Sequence, residues 1–313
     1  MFDMEEVIII GSGCAGWTAA IYLARARLSP LLVTGAEPGG LLTTTTIVEN
    51  YPGFPAGILG PELMSAMSKQ AERFGTRVKY LSVVSGVEFN QKIKRVKIDE
   101  EWFETKAVVI AVGARPRKLG VPGEAELENK GISFCATCDG ALPVFRNQPL
   151  VVVGGGDSAC EEALYLTRFA STVYLIHRRD TLRASPIMAE RVINEPKIKP
   201  IWNSVVEEIL DPKEDKVRAV NLRNLKDGSK KSLECRGVFV AIGHVPNTQI
   251  FEGQIELDDR KLIKITQGTK TSVPGVFACG DCVDGIYRQA VTAAGMGCMA
   301  ALDAERYLRD IKN

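Results

Sequence analysis

Two cysteines separated by two residues, Cys135 and Cys138, are the side chains of this sequence best suited to chemistry. A Cys-x-x-Cys unit can close a small disulfide, and its surroundings can tune the thiolate pKa values, as thiol–disulfide exchange requires. Asp139 follows the second cysteine directly. A carboxyl group there could donate a proton to a leaving thiolate or accept one, if partial burial raises its pKa. The segment therefore predicts a redox centre with an acid–base residue beside it.

A second Cys-x-x-Cys unit, Cys279 and Cys282, leaves a metal site open as an alternative. Structural zinc sites use such pairs of thiolates. The two pairs are about 140 residues apart, however, whereas roughly 15–20 residues separate the pairs of a zinc ribbon, which favours redox chemistry. The remaining cysteines are expected to be small buried hydrophobic residues: Cys14, Cys160, Cys235 and Cys298.

Two glycine-rich turns, residues 11–16 and 154–159, each follow an apolar strand and precede a helical stretch and a second strand. Such a turn lets the backbone approach a pyrophosphate, and the helix behind it presents free N–H groups. The same strand–turn–helix–strand order therefore predicts two dinucleotide sites. The predicted segments are strand 7–10, helix 17–27 and strand 31–34 for the first copy, and strand 150–153, helix 160–169 and strand 172–176 for the second.

The residues after each second strand distinguish the two sites. Glu37 could hydrogen-bond a ribose diol but would repel a 2′-phosphate, which favours FAD at the first site. Arg178, Arg179 and Arg183, together with His177, suit a 2′-phosphate and favour NADPH over NADH at the second. Two simpler interpretations stay open. Glu37 could be only a solvated turn residue, and residues 177–180 could be only a charged strand end.

The distance between the two copies predicts an α/β fold with two Rossmann-like dinucleotide-binding domains, the second inserted into the first. Joints rich in proline and glycine at 113–122 and 243–246 place residues 119–245 in the inserted NADPH-binding domain, which carries the redox Cys-x-x-Cys. Residues 1–118 and 246–313 would form a discontinuous FAD-binding domain.

The composition of the chain is that of an ordinary globular protein. Its 313 residues carry a net charge of +1 without basic clustering, which argues against a nucleic-acid or membrane-surface partner. The first residues are acidic rather than basic, and no apolar run approaches the roughly 20 residues of a membrane helix. We therefore expect a cytoplasmic protein.

The motifs together resemble those of the bacterial-type, low-molecular-weight thioredoxin reductases over essentially the whole chain. The matching segments are residues 11–16, 39–40, 43–46, 48–53, 135–140, 154–159, 177–180, 183–185, 243–244, 246–248, 280–281, 288–290 and 295–303. The sequence departs from the family at Cys14 (usually proline), Leu41 (often glutamine) and Val112 (usually threonine). Of these departures, Leu41 places one polar flavin contact in doubt.

The resemblance implies two sets of cofactor contacts. The FAD set comprises Gly11, Ser12, Gly13, Ala15, Gly16, Thr34, Glu37, Gly39, Gly40, Leu41, Thr46, Asn50, Gly113, Gly280, Asp281, Arg288, Gln289 and Ala290. The NADPH set comprises Gly156, Asp157, Ser158, Ala159, His177, Arg178, Arg179, Arg183, Ile242 and Gly243.

The resemblance also implies a reaction. Electrons would pass from NADPH through FAD to a Cys135–Cys138 disulfide and then to the disulfide of thioredoxin or a thioredoxin-like protein. Cys138 would lie nearest the flavin, Cys135 would attack the partner, and Asp139 would be the acid–base residue. Family members rotate the inserted domain about its linkers, here 115–118 and 244–247, and are homodimers. Open alternatives are a peroxiredoxin-type or small-molecule disulfide partner on the same fold and, from another class, a non-catalytic flavoprotein or metal-binding scaffold.

Overall fold

The computed structural model describes residues 4–45 and 47–312. The chain divides into two compact units. The first unit comprises Met1–Arg115 and Val245–Asn313, and the second comprises Pro116–His244. Across the described ranges, none of the helices has both the length and the apolar character needed to span a bilayer.

The secondary structure alternates between strands and helices. In chain order the strands are β1 (Glu5–Ile10), β2 (Leu31–Val33), β3 (Ile47–Val48), β4 (Ile58–Leu59), β5 (Arg77–Lys79), β6 (Val84–Glu88), β7 (Lys94–Ile98), β8 (Glu101–Ile110), β9 (Ala114–Pro116), β10 (Ile132–Ser133), β11 (Pro149–Val153), β12 (Thr172–Ile176), β13 (Ile198–Ile201), β14 (Ser204–Leu210), β15 (Ala219–Asn224), β16 (Lys230–Glu234), β17 (Gly237–Val240), β18 (His244–Pro246) and β19 (Val276–Ala278). The helices are α1 (Cys14–Arg25), α2 (Gly60–Arg73), α3 (Ala136–Asp139), α4 (Asp157–Leu166), α5 (Pro186–Asn194) and α6 (Ala290–Asp310).

The first unit is built on a sheet of order β5-β2-β1-β8-β7-β6, with β19 also paired to β8. Strand β1 runs parallel to β2 and β8 at its centre. Its alternating side chains enter two different cores: Val7 and Ile9 pack with helices α1, α2 and α6, whereas Ile8 and Ile10 pack on the opposite face. Burial on both faces explains why β1 is apolar at successive positions rather than at alternate ones.

The second unit repeats this plan on a smaller scale. Its parallel sheet has the order β10-β17-β11-β12-β13, and a separate antiparallel sheet has the order β14-β15-β16. Strand β11 again divides its side chains, with Val151 and Val153 in one core and Leu150 and Val152 in the other. Each unit therefore places one glycine-rich turn at the carboxyl end of a central parallel strand.

Both glycine turns lead into their helices earlier than the sequence indicated. Helix α1 begins at Cys14 rather than at residue 17, and α4 begins at Asp157 rather than at residue 160. The reason is that Gly13 and Gly156 themselves cap the helices: their carbonyls accept the first helical hydrogen bonds, from the N–H groups of Trp17 at 3.0 Å and Cys160 at 3.1 Å. The free N–H groups at each helix start therefore belong to the turn itself.

The chain leaves and re-enters each unit at neighbouring points. In the first unit the Asn247 N–H donates to the Gly113 carbonyl at 3.1 Å. In the second, the Arg117 N–H donates to the Gly243 carbonyl at 2.9 Å. Neighbouring termini of this kind are what insertion of one domain into another requires.

Candidate active site

Cys135 and Cys138 are joined by a disulfide, with their Cα atoms 5.3 Å apart. Strand β10 leads directly to this pair, and Cys135 caps the short helix α3 in an extended conformation. The Cys138 N–H donates to the Cys135 sulfur at 3.2 Å, and the Asp139 N–H donates to the Cys135 carbonyl at 3.1 Å. Cys135 is half-buried and Cys138 is exposed. This geometry is suited to thiol–disulfide exchange, because at least one sulfur is accessible.

Asp139 lies beside the disulfide and is largely enclosed. Burial raises the pKa of its carboxyl group, and a hydrogen bond from Ser133 acts in the opposite direction. The Ser133 Oγ donates to Asp139 Oδ2 at 2.6 Å and accepts from the Cys135 N–H at 3.1 Å. Ser133 thus links the acid to the first cysteine. No motif of the sequence indicated Ser133; its only sequence signal is that it is a small hydroxyl residue at a strand end, two positions before Cys135.

The first glycine turn is closely packed at Gly16 and open at Gly13. A Cβ atom on Gly16 would lie 2.0 Å from the Gly11 carbonyl oxygen, so the helix can approach the turn only at a glycine. A Cβ on Gly13 would meet nothing within 4 Å. The buried Ser12 connects this turn to the chain after β2, because its Oγ donates to the Thr34 carbonyl at 3.0 Å and accepts from the Gly39 N–H at 2.9 Å. The structure therefore brings these parts of the expected FAD set together.

The remaining residues of that set differ in exposure. Glu37, Leu41 and Asn50 are exposed, and Ala15 is buried in the core. The Asn50 Nδ2 donates to Gln289 Oε1 at 3.3 Å, which joins two distant parts of the set. Gln289 also caps α6, the helix that Ala290 begins. Thr46 lies outside the described residues.

Asp281 contributes a largely enclosed carboxyl group to this set. Its pKa is raised to about 6, chiefly by burial and also by the nearby charge of Asp284, while Arg288 acts in the opposite direction. Asp284 Oδ2 accepts the Arg288 N–H at 3.0 Å. Asp284 thus positions the loop that carries Arg288, a role that no sequence motif indicated. Gly280 and Gly113, two further members of the set, both have positive φ values.

In the second unit, His177 supports the glycine turn from below. A Cβ on Gly155 would lie 2.2 Å from the His177 ring, so glycine is required there. Burial is the main cause of the lowered pKa of His177, to which the charges of Arg183 and Arg179 contribute. Of the expected NADPH set, His177 and Ala159 are buried, and Ala159 packs in the core. These two residues shape the site rather than line its surface.

The arginines of the second site are exposed at the open side of the turn. Arg178, Arg179 and Arg183 are all exposed, and the Arg183 N–H donates to the Gly155 carbonyl at 2.7 Å. Asp157, also exposed, accepts hydrogen bonds from the Ser185 N–H at 2.8 Å and its Oγ at 2.9 Å. The arginine-bearing loop is therefore fastened to the turn at two points. The other exposed members of the set are Ser158, Ile242 and Gly243.

The second cysteine pair has the character of unreactive thiols. Cys279 and Cys282 are fully buried and free, and both sulfurs lie near the Ile110 carbonyl, at 3.7 and 3.8 Å. Burial raises the pKa of both thiols, that of Cys282 to about 12. Within residues 4–45 and 47–312, no group of three or more histidine, cysteine or acidic side chains is placed to hold a metal ion.

The other single cysteines are mostly buried as expected. Burial is the largest cause of the raised pKa of Cys14 (about 12), Cys160 (about 11) and Cys235 (about 12). The expectation for Cys298 was wrong, because this residue is only partly buried. It lies on α6, where part of the helix surface faces solvent.

Paired Rossmann-like units, one of which carries a surface disulfide next to a carboxyl group, define a pyridine nucleotide–disulphide oxidoreductase. The sequence model described as "Pyridine nucleotide-disulphide oxidoreductase" accordingly matches residues 5–297. Within that class, the chain belongs to the low-molecular-weight thioredoxin reductase family.

Sequence and structural relatives agree on this family. Thioredoxin reductase of Mycolicibacterium smegmatis is 53% identical over 98% of this chain and 97% of its own length. Thioredoxin reductase of Chlamydia pneumoniae is 52% identical over 97% of this chain and 99% of its own length. The crystal structure of thioredoxin reductase from Streptococcus pyogenes matches with a TM-score of 0.92 at 42% identity, covering 98% of this chain and 99% of that one.

Proposed function

We propose that this protein is an NADPH-dependent reductase that passes electrons, with the help of FAD, to the Cys135–Cys138 disulfide and from there to thioredoxin. The observation that carries the proposal is the accessible disulfide with Asp139 at its side. The alternative of a zinc scaffold has less support, because the cysteines of this pair are bonded to each other.

The residues present fit both cofactors. At the first turn, the open space above Gly13 adjoins the free N–H groups at the start of α1, an arrangement suited to a pyrophosphate. At the second, the open space above Gly156 adjoins α4, and three exposed arginines supply the charge that a 2′-phosphate requires. FAD, when bound, supplies two-electron chemistry between a nicotinamide and a disulfide.

The protein's own side chains then have defined tasks. The N–H groups of the two turns bind the diphosphates, and Glu37 binds the ribose diol of FAD. The exposed arginines select NADPH. Cys135 attacks the partner's disulfide, and Cys138 closes on Cys135 to release the reduced partner. Asp139 holds the proton that a departing thiolate needs, because its raised pKa keeps it protonated to a higher pH than an ordinary carboxyl group.

The proposal extends to a cytoplasmic homodimer. Six further cysteines carry free thiols, as is usual in a reducing compartment. Apolar side chains are exposed along one side of α6, at Val291 (42%), Met299 (47%) and Leu302 (37%), and a second copy of this chain would cover them. Light scattering should give twice the chain mass for the wild type. A monomeric mass would contradict the dimer without affecting the redox assignment.

The reaction is tested by anaerobic titration of the flavin-loaded protein. NADPH should bleach the flavin absorbance, and oxidised thioredoxin added next should restore it while its own disulfide is reduced. A flavin that NADPH does not bleach would refute the reductase. A bleached flavin that thioredoxin leaves reduced, but a peroxiredoxin-type or small disulfide reoxidises, would assign the alternative partner.

A further inference from the structure

A second acidic residue, Glu162, lies beneath the redox helix. It belongs to α4, and its Oε2 atom is buried without a hydrogen-bond partner among residues 4–45 and 47–312. Burial is the largest cause of its raised pKa, about 7, to which the charge of Glu161 contributes. The backbone N–H of Ala136 lowers the pKa by hydrogen bonding to the carboxyl group. A buried carboxyl thus contacts the residue that directly follows Cys135.

Helix α3 lies directly against α4, so this contact is part of a packed surface. Ala136, Ala163 and Leu166 belong to the same buried cluster. A Cβ on Gly140, at the end of α3, would lie 2.8 Å from the Leu166 side chain. The redox helix therefore has little freedom to move away from Glu162.

Few other charges surround this carboxyl. Of the neighbouring charges, that of Glu161 on α4 itself shifts its pKa. The titratable or charged side chains on the elements packed against α4, namely α3, α5, β11 and β12, are Cys135 at the cap of α3, Cys138, Asp139, Glu190, Arg191 and Tyr174. Arg191 is the one cation among these side chains, and it belongs to α5 rather than to α3, the helix that carries Cys138.

We propose that Glu162 is a positioning residue of the redox couple: its carboxyl group holds the start of α3 through the Ala136 N–H, and its charge controls how readily the reduced thiols ionise. This inference rests on the proposed function, because it concerns the same disulfide. It assigns to Glu162 neither contact with substrate nor transfer of a proton to sulfur.

The physical consequence depends on pH. Above pH 7 the carboxyl is ionised, and its negative charge disfavours a thiolate on the neighbouring cysteines. Because the thiolate exists only in the reduced form, ionised Glu162 favours the disulfide. Below pH 6 the carboxyl is protonated, and this effect disappears.

The test compares wild type with Glu162→Gln, which keeps a carbonyl oxygen for Ala136 but cannot ionise. The holoenzyme is equilibrated anaerobically with dithiothreitol, without NADPH or thioredoxin. Dithiothreitol is oxidised to its cyclic disulfide and gives up two electrons and two protons. The Cys135–Cys138 S–S bond breaks as it takes up these two electrons and two protons to form two thiols; above its pKa, one of the thiols releases its proton to water. Alkylation and peptide mass spectrometry then give the reduced fraction of residues 135 and 138.

The variant should favour the dithiol about three- to tenfold at pH 8 and lie within about twofold of wild type at pH 6. Glu190→Gln, which removes an exposed carboxyl on α5, should match wild type at both pH values. Equal shifts at pH 6 and pH 8, as a purely structural role would give, would overturn the inference. So would no shift, or one towards the disulfide.

A second measurement does not depend on that equilibrium. The rate of iodoacetamide alkylation of the reduced pair should rise at a lower pH in Glu162→Gln than in wild type, and an unchanged profile would contradict the inference. Neither of these two measurements uses turnover. If the proposed function were wrong, a separate experiment would show it, because NADPH–thioredoxin activity would persist after Cys138 is replaced.

Discussion

The Ser133 hydroxyl donates a 2.6 Å hydrogen bond to Asp139 Oδ2 and accepts one from the Cys135 backbone N–H. One side chain therefore orients the acid and the first cysteine together. Because this bond lowers the pKa of Asp139 against the effect of burial, it also controls the pH at which the acid loses its proton.

Ser133→Ala should shift the pH dependence of thioredoxin reduction. Without the hydroxyl, burial acts unopposed and the pKa of Asp139 rises further. Asp139 then keeps its proton to higher pH, so the alkaline limb of the kcat–pH profile should shift to higher pH. Ser171→Ala, an exposed serine of the same unit, should leave the profile unchanged. A shift of this limb to lower pH in Ser133→Ala would contradict the assignment of the Ser133 hydroxyl as the donor to Asp139.

Arg178→Ala combined with Arg179→Ala should weaken selection of NADPH over NADH. Loss of charge-assisted hydrogen bonds should raise the KM for NADPH about 10- to 100-fold, with the KM for NADH changed about twofold or less. Arg191→Ala removes an exposed arginine on α5 and serves as the control. Equal increases for the two nucleotides would show that these arginines do not bind the 2′-phosphate.

Gly155→Ala and Gly156→Ala form a matched pair. The first would place a Cβ 2.2 Å from the His177 ring, and such overpacking should lower the free energy of unfolding by about 1–3 kcal/mol. The second meets nothing within 4 Å, so stability should be kept while NADPH binds more weakly. Thermal unfolding and NADPH titration separate the two effects. Equal stability losses would mean that His177 does not restrict the turn.

Asp281→Asn should stabilise the flavin-free protein at neutral pH. The folded-state pKa of Asp281, about 6, lies above its ordinary value of 3.8, so stability falls as the pH rises through this range. Asparagine avoids the cost of a buried charge, and the free energy of unfolding at pH 7 should rise by about 1–3 kcal/mol, with little change at pH 4. Urea unfolding at both pH values measures this. A loss of stability at pH 7 would contradict the burial argument.

The parts of the fold governed by local rules could be predicted from the sequence. The valine and isoleucine runs before Gly11 and Gly154 indicated buried parallel strands, and the structure contains them as β1 and β11. The helices that follow begin three residues before their predicted starts, because the prediction counts the whole glycine motif as turn, whereas the helical hydrogen bonds already begin at Gly13 and Gly156. The spacing of Cys135 and Cys138 alone was enough to predict that they can form a disulfide.

Other features depend on contacts that no local pattern records. Ser133, Asp284 and Glu162 act through hydrogen bonds whose partners are fixed by the packing of strands and helices. His177 was considered as a nucleotide contact because it precedes two arginines, yet its ring fills the space beneath Gly155. The apolar or helical sequence context of Cys298 predicted burial, but its position on α6 leaves it partly exposed. Such details follow from tertiary geometry.

The most direct test of the redox assignment is stopped-flow reduction of Cys138→Ser, with Cys135→Ser beside it. NADPH should bleach the flavin of both variants, because the nucleotide sites are intact, while steady-state reduction of thioredoxin falls to background in each. Thioredoxin reduction that persists in either variant would contradict the claim that electrons leave the protein through this disulfide.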